Sequence, residues 1–157
     1  MKKHLLALLS WSMLFWGAIS FASCSDDDDD DKNPSTITND NASETIKKYG
    51  DLKNATIEGD NVIEAYSFIP MTKTVTIYHF SGEKEIDKAI TYVDCNSETL
   101  AKTIYNQMKE EAEAEGETLE GISIKGQYIC IEDDFEEYQG LTKEELCKLL
   151  DEENSDF

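Results

Sequence analysis

The sequence predicts an α+β domain: an antiparallel sheet of about four to six strands with helices packed on one face. Three observations point there. Short runs rich in β-branched and aromatic residues recur in pairs, each pair joined by a few turn-forming residues. Two segments with helical spacing of apolar residues stand apart from those pairs instead of alternating with single strands. The part of the chain able to fold is about 115 residues, enough for one domain around one core.

In chain order, residues 42–49 read as a short helix started by Ser43 and stopped by Gly50. Residues 55–58, then Gly59, Asp60 and Asn61, then 62–68 read as strand, turn, strand, with Pro70 as punctuation. Residues 74–80 and 89–95 are dense in Val, Ile, Thr and Tyr, and the link around 81–86 makes them a hairpin. Leu100, Ile104, Met108 and Ala112 fall at spacing four and define the clearest helix, opened by Asn96 or Ser97 and ended by Gly116. Glu110, Glu111, Glu113 and Glu115 put the wrong charge at its carboxy terminus and predict fraying there. Residues 122–124 and 128–131 form a further hairpin about Lys125, Gly126 and Gln127. Thr142 with Glu145 spells a capping box, and Leu141 is placed to staple onto Leu146. A final helix follows with Leu146, Cys147, Leu149 and Leu150 inward. The pattern leaves the strand order open.

Ahead of this domain lies a segment of another kind. Lys2, Lys3 and His4 precede a stretch from Leu5 to Phe21 that is almost wholly apolar, and Ala22 and Ser23 precede Cys24. A basic start, an apolar core and small residues before a cysteine form a secretory signal. An uncleaved membrane helix is the rival reading, because the apolar stretch is just long enough to span a bilayer. Phe21-Ala22-Ser23-Cys24 resembles a lipobox, with Phe21 where Leu is usual, and Ser25 with Asp26, Asp27, Asp28, Asp29, Asp30 and Asp31 follows directly. Over residues 1–31 the chain resembles the surface-exposed lipoproteins of the Bacteroidetes. The resemblance implies lipidation of Cys24, an export signal at 25–31 and a lipid anchor in the outer membrane, with the inner leaflet as the alternative. The expected organisation is a signal peptide at 1–23, a lipidated cysteine with a disordered acidic tether at 24–42, and one domain at 43–157. A tether so polar cannot bury enough area to offset its ordering entropy. Its span is at most about 60 Å at roughly 3.3 Å per residue.

Charge is unevenly spread. Residues 24–42 carry net −6, residues 43–109 net −2 and residues 110–157 net −14. All 14 basic residues are lysine, so the bidentate partner that phosphate prefers is missing. Nucleic acid is therefore a poor partner, and a cationic protein is the electrostatically favoured one. Both tryptophans, Trp11 and Trp16, lie in the signal, which weighs against a tryptophan stacking platform for sugars.

No catalytic constellation is expected. After signal removal His79 is the sole histidine, on the strand parity of Val75 and Ile77, which favours a structural role. Cys95, Cys130 and Cys147 remain once Cys24 is lipidated, and three thiols cannot all pair. They read chiefly as buried small hydrophobes, with a Cys95–Cys130 bridge as the alternative. No metal-ligand spacing is present and no cofactor is expected. Glu132, Asp133, Asp134, Glu136 and Glu137, with Phe135 and Tyr138 interleaved, form a candidate face for a partner or a cation. The solvated acidic loop is the plainer reading of the same residues. The expected function is a surface-tethered, non-catalytic binding or accessory module. An acidic inhibitor or immunity-type protein masking a basic partner is the alternative, followed by a small hydrolase.

Overall fold

The computed structural model describes residues 41–67, 72–116, 118–133 and 135–154. The elements run α1 (Ala42–Tyr49), β1 (Thr56–Glu58), β2 (Asn61–Tyr66), β3 (Lys73–Phe80), β4 (Ile86–Asp94), α2 (Glu98–Glu115), β5 (Ile122–Lys125), β6 (Tyr128–Asp133), a 3-10 turn (Glu136–Tyr138) and α3 (Lys143–Asn154). The fold is α+β, with six strands in one antiparallel sheet ordered β1-β2-β3-β4-β6-β5. The first four strands form a meander. After α2 the chain skips to the outer edge, lays down β5, and returns through β6 to pair with β4.

Register decides what each face carries. Val62, Tyr78 and Ala89 stand in one row across β2, β3 and β4, and Ile63, Ile77 and Ile90 in the next. The first row faces α3, whose Leu146 and Leu150 pack on Val62, Tyr78, Phe80 and Ala89. Farther along the same face, α2 lays Ala101, Ile104 and Met108 on Ile122, Ile129 and Ile131. The second row faces α1, where Ala42 and Ile46 pack on Ile63, Val75, Tyr92 and Cys130. The two longer helices thus share one face, as expected, and the short α1 covers the other. The apolar side of 42–49 shows that the helix docks, but either face of a sheet with apolar residues at both parities, as in Val62-Ile63, accepts it.

Local signals hold in detail. Ser97 Oγ accepts from Leu100 N at 3.1 Å and caps α2. The helix continues through its acidic last turn to Glu115, where Gly116 closes it in the left-handed region. The capping box of α3 is reciprocal: Thr142 N donates to Glu145 Oε2 at 2.8 Å, and Glu145 N donates to Thr142 Oγ1 at 3.2 Å. At α1 the cap position falls on Asn41, without a side-chain cap, and Ser43 lies inside the helix. Ala42, read from the sequence both as the last tether residue and as the first of this helix, is fully buried as its first residue.

Gly121 pins the start of β5. Its φ is +74°, a Cβ there would stand 2.6 Å from Glu132 O, and its own carbonyl accepts from Glu132 N at 2.7 Å. Gly121→Ala meets both the steric contact and the left-handed backbone. It should cost about 1–3 kcal/mol in urea unfolding, and an unchanged midpoint would show that the turn adapts freely.

Candidate functional site

Antiparallel pairing sends the Gly59–Asp60 turn, the 81–85 turn, the start of β5 and the segment from the end of β6 to α3 to the same end of the sheet. The segments interlock. Gln139 spans the gap to β4, accepting from Ile86 N at 3.1 Å and donating to Ile86 O at 2.5 Å, and Gly140 N donates to Lys84 O at 3.0 Å. Each turn brings carboxylates with it: Asp60, Glu83 and Glu85 from the hairpins, Glu120 before β5, and Glu136, Glu137 and Glu144 near α3.

Two of the lysines at this end, Lys143 and Lys88, are engaged within the end itself, while Lys84 stands exposed in the 81–85 turn. Lys143 Nζ donates to Gly59 O at 3.0 Å and to Asp60 Oδ1 at 2.8 Å, and this ammonium holds the Asp60 carboxyl below its usual range. Lys88 pairs with Glu132 at 3.2 Å. A cleft of about 480 Å³ opens between the 81–83 turn and the first turn of α3, with Phe80 in its wall.

The candidate face drawn from the sequence divides here. Glu132, Glu136 and Glu137 are exposed. Asp134 and the side chain of Asp133 lie outside the described residues. Phe135 is not a surface anchor: only 9% of it is exposed, and it packs edge-on to Tyr78 at 5.2 Å between ring centroids. Tyr138, half-buried, stacks on Phe135 at 6.0 Å and meets Tyr78 edge-on at 5.6 Å. The backbone reaches this arrangement by entering the left-handed region at Phe135, with φ 42° and ψ 55°. Burying an apolar ring outweighs that local strain. The face that remains is carboxylate without an aromatic centre. Cys24 and the 25–31 run fall outside the described residues.

The thiols and the histidine are kept apart. Cys95 packs with Ile129 under α2, whereas Cys130 lies on the opposite face with Tyr92. The sheet separates them, so no bridge forms and all three described cysteines are free. Burial pushes both the Cys95 and the Cys130 thiol up to about 11, away from the reactive thiolate. His79 keeps the parity of Val75 and Ile77 but stands exposed near the sheet end, its Nδ1 2.6 Å from Asp87 Oδ1. Cys130 lies opposite Tyr92, which faces Val75, four residues from His79. That is about 13 Å along the strand. Cys147 belongs to the other face, on α3. None of the three meets the histidine.

One feature was not singled out in the sequence. Glu64 is only 6% exposed, on the α3 side of β2. Tyr78 Oη donates to its Oε1 at 2.7 Å and Asn154 Nδ2 to its Oε2 at 3.3 Å. Beside it, Thr76 Oγ1 lies 3.4 Å from Tyr66 Oη and 2.9 Å from Thr91 Oγ1, while the buried Thr74 Oγ1 has no partner. These residues form a polar strip between the apolar clusters under α2 and α3. Its signal in the sequence was the parity of Val62, Glu64 and Tyr66, masked by the equally apolar Ile63 and Ala65.

Among the described residues no group of histidine, cysteine and carboxylates is arranged to hold a metal, and no helix is long and apolar enough to cross a membrane. No known family model, curated protein or solved structure matches the chain.

Proposed function

We propose that the chain is a lipid-tethered, non-catalytic binding module, anchored in the outer membrane through Cys24, that meets a cationic protein partner through the acidic end of its sheet. The observation that carries the reading is topological. Carboxylates far apart in the sequence, from Asp60 to Glu144, are gathered at one end by antiparallel pairing, and Lys143 and Lys88 are already engaged there. The field of such an end steers a basic partner and sets its orientation. The separation of His79 from each described thiol favours binding over nucleophilic catalysis. The tether, with its own net charge of −6, adds to the field and lets the domain stand away from the membrane.

The test uses a lysine-rich peptide as probe. Changing Glu136, Glu137 and Glu144 to Gln should weaken binding by about tenfold at low salt, at a few tenths to one kcal/mol per exposed charge, and should flatten the salt dependence. A control removes the same charge at the other end through Asp51, Glu98 and Glu152. Equal losses from both triplets would mean that the peptide reads net charge alone and that the end is not a site. Against a native basic partner, one-to-one masking of its activity would select the inhibitor form of the same reading.

A further inference from the structure

We propose that Glu64 is a proton-controlled latch for the carboxy-terminal turn of α3: neutral, it clamps the helix end to the sheet, and ionised, it loosens it. Three polar contacts hold that turn, one of them from Tyr138 Oη to Glu153 Oε2 at 3.5 Å. Asn154 Nδ2 reaches Glu64 Oε2 at 3.3 Å, and Asp151 Oδ1 accepts from Ala55 N at 2.6 Å. Glu64 has no room to rotate into solvent, since it is 6% exposed and Tyr78 Oη holds its other oxygen at 2.7 Å.

Among the described residues, every titratable group that faces Glu64 is acidic or phenolic. From α3 come Asp151 and Glu153, from β3 Tyr78, from β2 Tyr66, and from the 3-10 turn Tyr138. Among the described residues no lysine pairs with it. The last turn of α3 carries no basic residue, so the negative end of the helix dipole adds to the repulsion. Burial and the Glu153 and Asp151 charges raise the Glu64 carboxyl above its usual range, while Tyr78 and Asn154 oppose the rise in part. A carboxyl raised in the folded state contributes its stabilisation fully below the ordinary carboxylate range. That contribution is lost as pH rises through the folded value. Both hydrogen bonds are donated to the carboxyl and serve either form, but they offset only in part the cost of burying the anion beside Asp151 and Glu153. Opening the helix end at Asn154, one turn beyond the buried Leu150, is what lets water reach the anion and relieves that cost.

Hydrogen exchange on the full-length chain between pH 5 and 8, corrected for intrinsic rates, reads the latch. Protection of the 149–154 amides should fall with rising pH, by about tenfold for each pH unit separating the titration of Glu64 from an ordinary carboxylate. In Glu64→Gln, which keeps size and polarity without the charge, protection should stay level. The same fall in the variant would assign the effect to the general acidity of the chain and overturn the latch. Side-chain carboxyl NMR of the unsubstituted chain decides the matter independently if the variant folds poorly. A Glu64 midpoint above ordinary carboxylates, coincident with the change in exchange, supports the latch, and a midpoint within the ordinary range overturns it.

Discussion

Phe135→Ala should destabilise the domain by about 3–5 kcal/mol, the range for truncating a buried aromatic ring. That is a large part of the 5–15 kcal/mol that typically separates folded from unfolded chains. The ring fills the space between Tyr78, Leu146 and Leu150 and makes an edge contact with Tyr78 at 5.2 Å. Its loss also frees the stacked face of Tyr138. The measurement is a urea midpoint at constant slope. Glu136→Gln, at the adjacent and exposed side chain, is the matched control and should change the midpoint little. A midpoint for Phe135→Ala equal to that of the control would mean that the ring is not part of the core, and the surface-anchor reading of this segment would return.

Phe135 also shows where the sequence stops being legible. Five acids between 132 and 137 make the segment look solvated, and a single ring among them carries no periodicity by which to place it. Only tertiary structure supplies the information: β6 ends, the backbone turns through a left-handed residue, and the ring drops beneath it. By contrast, the α2 helix, the 81–85 hairpin and the Thr142 capping box were readable because each signal is local. Spacing of four, a turn between β-branched runs and a three-residue reciprocal cap need no knowledge of the rest of the chain. His79 falls opposite Lys88 for the same reason, since a hairpin register follows from its turn. Strand order, the face chosen by α1 and the burial of Glu64 depend on contacts between distant segments, which local pattern does not carry. The gathering of carboxylates at one end is intermediate. The net charge of 110–157 was visible, but the contribution of Asp60 and Glu83 to the same surface came only with the sheet.

The proposed tether makes the largest cellular prediction. Native protein should carry acyl groups on Cys24 at a new amino terminus, and Cys24→Ala should lose that added mass completely, because alanine offers no sulfur for a thioether. Exporting residues 25–157 behind a conventional secretory signal should then move the domain from the membrane to the soluble fraction. Several acyl chains at about 0.8 kcal/mol per buried methylene supply membrane affinity that the acidic domain does not replace. A negatively charged domain is repelled by anionic headgroups, so release should be complete at physiological salt. Fluorescence gives a separate reading. Trp11 and Trp16 are the only tryptophans, so protein processed before Cys24 should show tyrosine emission alone. An unmodified Cys24, an amino terminus at Met1 or strong tryptophan emission from native protein would each overturn the lipid tether. The last two would assign the apolar segment to a retained membrane anchor. If the domain begun at residue 25 stays on membranes although the native protein is acylated, a second attachment must lie within the fold, and the acidic end would then have to be reconciled with a membrane surface.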